Sequence, residues 1–527
     1  MYVIADLQLH SKYSRAVSKE MTIPNIAMWA RRKGIRLVAT GDWTHPLWMR
    51  EIKANLEEVG NGLLKLKETV EDRTSKIEVE NRVSTIDKTS LPSTLHLQPQ
   101  SSILDHLSSP LFLLATEVSC IYSQNGKVRR VHTLIWVPSL ASADKISKEM
   151  TRLGCNLMSD GRPIIGLTSI QVAELVFTIE PKALIIPAHA WTPWFSVYGS
   201  LGGFDSLEEA FGPFAKHIYA IETGLSSNPA MNWRIKELDH RSIVSFSDAH
   251  SGPKLGREAT VFDVPELTYD SIYEAIAKPT IEDRASRIGS EDRRSKIEKN
   301  QPSTFHLQPR SSTFDHPSSS SIAYTIEFYP EEGKYHHTGH RACNIRLSPE
   351  ETKKKGVTCP VCGKPLTQGV MQRVEELAGR SEAELQLSTV NIQMSGFTDS
   401  RNQSTPIPGI KMTGSKAFPN RPPFVMLVPL QEIISEAVGS PVASTRVQPV
   451  YQKLTDQFDE FSLLLSIPIS DIAGIAGERI AQGIEKVRKG DILIDPGYDG
   501  VFGVVKIWKE GEEKPLLDAS KEQLTMF

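Results

Sequence analysis

Residues 2–11 read Tyr-Val-Ile-Ala-Asp-Leu-Gln-Leu-His-Ser, a short apolar run followed at once by Asp6 and His10. Six more apolar runs follow before residue 250, and amphipathic stretches such as Ile23–Arg32 and Ser206–Phe211 lie between several of them. This alternation of predicted strands and helices favours an α/β fold with parallel strands, arranged as a barrel. The seven runs are Tyr2–Ala5, Leu37–Thr40, Leu111–Thr116, His132–Val137, Ala183–Pro187, Ile218–Ile221 and Ile243–Phe246.

Side chains that can bind a metal ion follow nearly every one of these runs, although His132 opens its run. The C-terminal ends of the strands in an α/β barrel share one face, where active sites are built, so these side chains are expected to converge. One histidine or one Asp-x-His pair would be weak support, but so many at successive strand ends predict a metal cluster. Mixed imidazole and carboxylate ligands suit Zn, Mn or Fe. The residues are Asp6, His10, Asp42, His45, Glu117, His132, His189, Glu222, Asp248 and His250.

The same motifs resemble those of the PHP phosphoesterase superfamily, and more closely those of the endonuclease Q family. The superfamily motifs are Ala-Asp-Leu-Gln-Leu-His-Ser (5–11), Gly-Asp-Trp-Thr-His-Pro (41–46), Glu117, His132, His189 and Ser-Asp-Ala-His (247–250). The closer similarity is carried by His-Ser-Lys-Tyr-Ser-Arg (10–15), Ala-Thr-Gly-Asp-Trp-Thr-His-Pro (39–46) and Thr-Glu-Val-Ser-Cys-Ile-Tyr (116–122). The resemblance implies an α/β fold built on a distorted (β/α)7 barrel, and it covers nearly the whole chain apart from two inserted segments.

The resemblance also implies a metal-dependent DNA endonuclease. Such an enzyme hydrolyses the phosphodiester 5′ to a deaminated base (uracil, hypoxanthine or xanthine) or to an abasic site. Two to three divalent ions are expected in the barrel, Zn with Mn or Mg as alternatives, and Asp6 and Glu222 are expected to orient ligand histidines. Asp42, Glu117, His189 and Asp248 are the expected catalytic residues. The expected metal ligands are Gln8, His10, Asp42, His45, Glu117, His132, His189, Asp248 and His250.

Position 8 departs from the family pattern. The first motif of the superfamily is His-x-His, and here it reads Gln8-Leu9-His10. An amide oxygen is a much poorer zinc ligand than imidazole, so one metal site is expected to be weakened or filled differently. Two alternative functions follow: a PHP phosphatase that acts on a small phosphomonoester, and a catalytically impaired scaffold that binds DNA as a clamp-bound subunit.

A zinc module is predicted where His340-Arg-Ala-Cys343 is followed, after fifteen residues, by Cys359-Pro-Val-Cys362-Gly363. Two close pairs at this separation supply four tetrahedral ligands for one structural zinc ion. His336 and His337 are alternative first ligands, but the resemblance favours His340. Four protein ligands close a zinc site, so we expect this zinc to fold a DNA-contacting module and not to catalyse.

Two further segments suggest DNA or protein contacts. Ile472–Ala481 is similar to a helix-hairpin-helix turn, in which Gly474 and Gly477 would allow the backbone to approach a phosphate. An ordinary helix-helix turn explains this pattern equally well. The run Gly409–Lys416 imitates a phosphate-binding loop, but its Gly-Ser-Lys order is wrong for one, which excludes a nucleotide cofactor.

An aromatic cluster and a terminal peptide complete the candidate sites. The aromatic side chains directly after His189 are candidates for the wall of a pocket for an extruded base, with core packing as the equal alternative. These are Trp191, Trp194, Phe195 and Tyr198. The last residues resemble a sliding-clamp-binding peptide, with a disordered tail as the alternative. These are Gln523, Leu524, Met526 and Phe527.

Length and composition frame these predictions. A chain of 527 residues is too long for one core, and its net charge of −3 excludes a globally basic nucleic-acid binder. No apolar stretch is long enough to span a membrane and no signal peptide is evident, so we expect a cytoplasmic protein without membrane contact. The five cysteines suit a metal site better than disulfides.

Two polar segments, about 71–110 and 280–322, resemble each other and are interpreted as copies of one inserted element. Their histidines, His96, His106, His306 and His316, are not expected to bind metal. The predicted organisation is a PHP domain over 1–265 that contains the first insert, the second insert, a zinc module over 323–380, an α-rich C-terminal DNA-binding region over 381–510 and a flexible tail over 511–527.

Overall fold

The computed structural model describes residues 1–67, 109–278, 320–390 and 409–509. The chain divides into two compact units, one formed from Met1–Gly224, Ile235–Ile326 and Thr455–Glu460, and the other from Leu225–Arg234, Glu327–Leu454 and Phe461–Phe527. Most of both inserted segments, with their histidines, and the clamp-like peptide Gln523–Phe527 lie outside the described residues. In the described part of the chain, no helix has both the length and the apolar character needed to cross a membrane.

The first unit contains all seven strands predicted from the apolar runs, together with five short ones. Its helices include α1 and α5, which coincide with the predicted amphipathic stretches. The strands are β1 (Tyr2–Asp6), β2 (Leu37–Ala39), β3 (Leu56–Glu58), β4 (Leu64–Leu66), β5 (Leu111–Gln124), β6 (Lys127–Val137), β7 (Ile164–Ile165), β8 (Leu184–Pro187), β9 (Ala220–Glu222), β10 (Ser242–Val244), β11 (Ala259–Asp263) and β12 (Ser321–Glu327). The helices are α1 (Ile23–Lys33), α2 (Pro46–Asn55), α3 (Leu140–Arg152), α4 (Ser169–Ile179) and α5 (Leu207–Phe211).

Seven of these strands form a closed but irregular circuit. Strand β1 pairs in parallel with β2 and β2 with β5, β6 pairs with both β5 and β8, and β9 pairs in parallel with β10. The amide of Ala190 donates to the carbonyl of Glu222 and links the end of β8 to β9. A parallel bridge between Leu9 and Ala249 links the chain after β10 to the chain after β1. The prediction of a distorted (β/α)7 barrel is confirmed.

One expectation about strand direction was wrong. Strand β5 continues well past Thr116 to Gln124 and forms a long antiparallel hairpin with β6, which is in turn antiparallel to β8. The turn consists of Asn125 and Gly126, with φ of 51° and 73°. An Asn-Gly pair at positive φ is the strongest short-range hairpin signal, because its twist matches that of the flanking strands. Asn125-Gly126 is therefore the feature of the sequence that indicates an antiparallel β5–β6 pair.

Local sequence explains where the helices begin and end. The Thr168 hydroxyl accepts the amide of Gln171 while the Gln171 side chain accepts the amide of Thr168, a capping box that starts α4. Helix α1 ends at Gly34, whose φ of 85° suits glycine. Its last residue, Lys33, is almost fully buried and forms a 2.7 Å ion pair with the equally buried Glu460.

The remaining elements belong largely to the second unit. Antiparallel pairs are formed by β13 with β14, β16 with both β15 and β17, and β18 with β19. Strand β16 lies inside the run 409–416, consistent with the exclusion of a phosphate-binding loop. The strands are β13 (Thr338–His340), β14 (Ile345–Leu347), β15 (Leu387–Val390), β16 (Met412–Ser415), β17 (Phe424–Met426), β18 (Leu493–Asp495) and β19 (Val504–Lys506). The helices are α6 (Pro229–Trp233), α7 (Pro349–Lys355), α8 (Val370–Leu377), α9 (Leu430–Val438), α10 (Gln448–Thr455), α11 (Glu460–Leu465), α12 (Ile469–Ala476) and α13 (Glu478–Lys489).

Candidate metal centre

Three predicted site residues adopt an unusual backbone conformation just after barrel strands. Asp42 after β2, His189 after β8 and Asp248 after β10 have φ of 44°, 31° and 46°. A residue with a side chain at positive φ costs of order 1–3 kcal/mol, and such strain persists where the surrounding structure requires it. The strain turns these side chains towards one point at the strand ends.

Glu117, in the middle of β5, lies at the place where these side chains meet. Its Oε1 atom is 2.5 Å from Nδ1 of His132 and 3.5 Å from Nε2 of His189. The two imidazole nitrogens are 3.1 Å apart. All three side chains are buried, and one ligand atom from each lies within 4.8 Å of the others. These residues form the first ligand group.

The second ligand group consists of His10, Asp248 and His250. The Nε2 atom of His10 is 3.1 Å from Oδ1 of Asp248 and 3.3 Å from Oε2 of Glu117. The Nδ1 atom of His250 lies 2.8 Å from the carbonyl oxygen of Asp248, a contact that leaves Nε2 of His250 available to a metal. Because its two oxygens face different groups, Glu117 is placed to bridge two ions.

The geometry of both groups fits a divalent metal. Ligand atoms about 2.1 Å from a tetrahedral ion lie about 3.4 Å from one another, close to the separations of 3.1 to 3.5 Å around Glu117, although the 2.5 Å contact with His132 is shorter. One buried oxygen beside the second group, Oε1 of Gln8, has no hydrogen-bond partner in the described part of the chain. An unsatisfied buried acceptor costs about 1–3 kcal/mol, which a bound cation would offset.

The electrostatics of the centre favour ionised carboxylates. Burial raises the pKa of Glu117, but the Arg162 guanidinium and hydrogen bonds from His10 and His132 outweigh it and hold that pKa well below its usual range. Burial also raises the pKa of Asp248, but the hydrogen bond and the positive charge of His10 outweigh it, so that pKa is lowered. Burial lowers the pKa of His132 to about 4, so this imidazole is neutral, as a metal ligand must be.

His10 behaves in the opposite way. Burial disfavours its charged form, but the carboxylates of Asp42, Asp248 and Glu117 outweigh burial and raise the pKa of His10 well above its usual value. Without metal, the ring is therefore an imidazolium that donates to carboxylates on both sides. A metal bound at Nε2 would replace one of its protons.

Asp42 was expected to bind metal directly, but in the structure both of its carboxylate oxygens contact other side chains. Its Oδ1 is 3.0 Å from Nδ1 of His10. Its Oδ2 accepts hydrogen bonds from the amide and hydroxyl of Ser11 and from the hydroxyl of Ser14, at 2.6–2.8 Å. With both oxygens occupied, Asp42 orients the His10 ring, as carboxylates behind metal-binding histidines commonly do.

His45 also lies outside both ligand groups. Its Nδ1 accepts the amide of Trp48 at the start of α2, and its ring stacks on Tyr13 with centroids 4.6 Å apart. These contacts describe a helix-capping residue packed on an aromatic ring.

Asp6 and Glu222, the two carboxylates expected to orient ligand histidines, accept hydrogen bonds from backbone amides. Asp6 accepts the amides of Ser247 and Gly256, whereas Glu222 accepts the amide of His189 at 2.5 Å. Asp6 therefore supports the loop that carries Asp248, and Glu222 fixes the strained residue His189. Neither carboxylate reaches a histidine ring through these bonds.

Gln8 occupies the side of the second ligand group. Its Nε2 donates to Oε2 of Glu117 at 2.8 Å, and the side chain is buried. This amide therefore contacts the bridging carboxylate on the same oxygen that faces His10. Its position is that of a ligand, although its chemistry is weaker than that of imidazole.

Arg162 is a site residue that the sequence did not reveal. Its Nη1 lies 3.3 Å from Oε1 of Glu117 and 3.4 Å from Nε2 of His10. It precedes the two-residue strand β7, which pairs with β5 near Glu117. The arginine stands outside the apolar runs, in Asp-Gly-Arg-Pro (160–163), so strand-end reasoning could not find it.

The aromatic side chains in the loop after His189 differ in burial. The rings of Trp191 and Tyr198 pack together with centroids 4.8 Å apart, and both are at most 1% exposed. Their assignment to a base pocket is therefore corrected to core packing. Phe195, at φ 63°, places its ring 4.9 Å from that of His132. Trp194 is 37% exposed.

The zinc ligands predicted in the second unit come together. One atom from each of His340, Cys343, Cys359 and Cys362 lies within 4.8 Å of the others, an arrangement that favours His340 over His336 and His337 as the first ligand. Burial raises the pKa of Cys359, but backbone amides of Cys362 and Val361 outweigh it and the pKa falls to about 6, which favours the thiolate that zinc requires.

The predicted helix-helix turn near the C-terminus is formed by α12 and α13. Gly477, at φ 89°, separates the two helices, and a Cβ atom there or at Gly474 would meet no atom within 4 Å. Both glycines are exposed. The geometry is compatible with close approach of a ligand to this turn.

Comparison with known proteins gives relatives for most of the chain. Residues 429–491 match the family described as the MJ0043 C-terminal domain. The chain is 28% identical over 320 residues to the uncharacterized protein MJ0043 of Methanocaldococcus jannaschii, a match that covers 60% of this chain and 31% of that protein. It is 27% identical over 383 residues to the uncharacterized protein YqxK of Bacillus subtilis, covering 71% of this chain and 74% of that protein. The match thus spans less than a third of the length of MJ0043.

Two solved structures resemble this chain over its full length. The lesion-specific endonuclease PfuEndoQ from Pyrococcus furiosus superposes with a TM-score of 0.68 at 26% identity, covering 98% of both chains. Endonuclease Q in complex with a 27-mer duplex substrate carrying an abasic lesion superposes with a TM-score of 0.67 at 27% identity, covering 98% of this chain and all of that one. The similarity to endonuclease Q expected from the motifs is confirmed.

Proposed function

We propose that this chain, which has the fold of endonuclease Q, is a metal-dependent DNA endonuclease that hydrolyses the phosphodiester 5′ to a deaminated base or an abasic site. One observation carries the proposal: Glu117 stands between a buried and a partly exposed ligand group in a barrel that matches a lesion-specific endonuclease over 98% of both chains. The likeness supports the predicted enzyme class, a PHP-type metal-dependent nuclease.

The residues of this chain would hold two divalent ions. His132 and His189 would bind on one side of Glu117, and His10, Asp248 and His250 on the other. When bound, such ions lower the pKa of water and stabilise negative charge on a phosphate. Zn and Mn both suit this mixture of imidazole and carboxylate ligands.

Other residues would keep these ligands in position. Asp42 holds the Nδ1–H of His10, and the Thr192 hydroxyl lies 3.2 Å from Nδ1 of His189. Contacts of this kind select the tautomer that presents the opposite nitrogen to a metal. Glu222 then fixes the strained backbone of His189, as described above.

Trp194 is the candidate for stacking on an extruded base. The loop that carries it is attached to the metal centre, because the His132 amide donates to the Phe195 carbonyl and the Thr192 hydroxyl donates to the carbonyls of His189 and Trp194. A half-exposed indole beside a nuclease centre could stack on a base removed from the duplex. Phe195 supports the loop from the side of His132.

The test is a nicking assay with labelled duplexes that each carry one uracil, hypoxanthine, xanthine or abasic site, beside an undamaged duplex. Protein loaded with Zn or Mn should cut 5′ to at least one lesion, Asp248→Asn should abolish cutting, and the exposed-site control Asp270→Asn should leave it unchanged. Hydrolysis of p-nitrophenyl phosphate without cutting of any duplex would instead support the small-phosphomonoester alternative. Protein that holds metal but hydrolyses neither would be the impaired scaffold.

The proposed partners rest on different parts of the chain. The zinc module and the Gly474–Gly477 turn are candidate DNA contacts of the second unit. Binding of a sliding clamp through Gln523–Phe527 stays a prediction from the sequence, since those residues lie outside the described part of the chain.

A further inference from the structure

Arg162 enters the metal centre from a segment that is firmly attached on both sides. The amide of Gly161 donates to the carbonyl of Tyr13, and the amide of Ser119 donates to the carbonyl of Pro163. A Cβ atom at Gly161 would lie 2.3 Å from Oδ2 of Asp42, so glycine permits the close approach. The backbone of Arg162 is therefore held beside Glu117 whatever its side chain does.

The guanidinium has unusual partners. Its Nη1 contacts Glu117 and His10, both assigned above to the metal sites, and among the described residues it has no carboxylate of its own. Its side chain is 25% exposed, so the guanidinium reaches solvent at the mouth of the centre. A guanidinium offers five N–H donors in a planar fork, and the ion pair with Glu117 involves its Nη1.

Charge balance changes when metals bind. The centre contains three carboxylates, those of Asp42, Glu117 and Asp248, and Oε1 of Glu117 lies 3.3 Å from Nη1 of Arg162. Two divalent ions would bring four positive charges, which exceed the three negative ones. Arg162 would then stand in a region of excess positive charge and would lack an anion, while its fork matches two oxygens of a phosphate.

We infer that Arg162 binds the scissile phosphate, as a fixed cation that exchanges its contact with Glu117 for two phosphate oxygens when the metal sites are filled. The inference rests on the proposed function for the identity of the substrate, but the phosphate contact itself does not. Arg162 would raise the affinity for the phosphodiester and stabilise the charge that develops on its oxygens during hydrolysis.

The experiment compares Arg162→Gln and Arg162→Lys with Arg152→Gln, a control on the exposed face of α3. Metal content is measured by mass spectrometry at saturating Mn, and the affinity of the loaded protein for inorganic phosphate by calorimetry. We expect Arg162→Gln to keep its metal but to bind phosphate about ten- to hundred-fold more weakly, as loss of charge-assisted hydrogen bonds implies. Single-turnover nicking should fall by about 10²–10³-fold. Arg162→Lys should recover part of both, since it keeps the charge without the fork.

Two results would overturn the inference. If Arg162→Gln loses metal even at saturating Mn, the residue supports the metal sites. If it binds phosphate as tightly as the wild type does, or if the loaded wild type binds none, no phosphate contact exists. A wild type that cuts no duplex, yet binds phosphate in a way that depends on Arg162, would refute the proposed function and leave this inference intact.

Discussion

At the scale of single residues, the centre depends on which carboxylates face metals and which face histidines. Glu117 and Asp248 belong to the ligand groups. The two oxygens of Asp42 instead contact His10, Ser11 and Ser14. All three were equivalent in the sequence, as acidic residues near strand ends. The difference arises from hydrogen-bond partners that are brought together only by folding.

Substitution of these carboxylates should separate the two roles. We expect Asp248→Asn to lack one ion even in excess metal, because it removes a ligand. Asp42→Asn should bind metal about 10–100-fold more weakly but reach full occupancy in excess, since it only loosens His10. Equilibrium dialysis against Mn with elemental analysis measures both. Equal final occupancies in the two variants would contradict the assignment of Asp42.

Gln8 offers a test of whether this chain carries a weakened site. Gln8→His restores imidazole beside Glu117 and His10, so we expect metal at the second group to bind more tightly, of the order of tenfold or more. The same dialysis, with nicking rates at limiting metal, measures the gain. Gln124→His, on the β5–β6 hairpin, is the control. Unchanged affinity in Gln8→His would show that Gln8 takes no part in metal binding.

At the scale of elements, the zinc module shows how a small segment is held together. Strands β13 and β14 form a hairpin, and the amide of Cys359 donates to the carbonyl of Lys364 in the turn that carries Gly363 at φ 72°. The buried apolar cluster of this module is small, consisting of Leu347, Cys359 and Leu366 with Cys343 and Ile345 beside them. Because so small a cluster contributes little folding free energy, we expect the module to depend on a bound metal ion.

Cys359→Ser should therefore release the structural zinc and expose the module. Zinc binding contributes on the order of 10 kcal/mol to the folding of such small modules, so its loss should make residues 338–366 sensitive to limited proteolysis. Cys155→Ser, whose sulfur lies outside the ligand group, should keep the zinc and resist cleavage. Zinc content and the mapped cleavage sites provide the measurement, and a variant that keeps its zinc would count against this site.

At the scale of the whole molecule, the two units are expected to use metal differently. The first unit has an extensive core of its own, and its ions would add to a fold that already exists. A ligand that binds only the folded state stabilises it by about 2.7 kcal/mol at a hundred times its dissociation constant. Chelation should therefore lower the melting temperature of the barrel without unfolding it.

The pH dependence of that stabilisation follows from His10. In the metal-free protein its pKa is raised above the unfolded value of 6.5, so its contribution to stability is complete below pH 6.5 and disappears as the pH rises through the folded pKa. A metal at Nε2 must displace this proton, so metal binding strengthens as the pH rises. We expect the increase in melting temperature caused by Mn to be larger at pH 8 than at pH 6. An equal increase at both pH values would contradict this.

The sequence by itself determined the barrel strands and the candidate ligands that the structure brings together, namely the four of the zinc module and most of those in the metal centre. Apolar runs, Cys-x-x-Cys spacing and polar residues at strand ends are patterns among residues close together in the chain. They can therefore be recognised without a structure. Only the tertiary structure decided that Asp42 and His45 stand behind the ligands, that Trp191 and Tyr198 belong to the core, and that Arg162 enters the centre. Those facts depend on which atoms meet across long stretches of chain. Burial, hydrogen-bond direction and a positive φ at His189 or Asp248 exist only once the strands have paired.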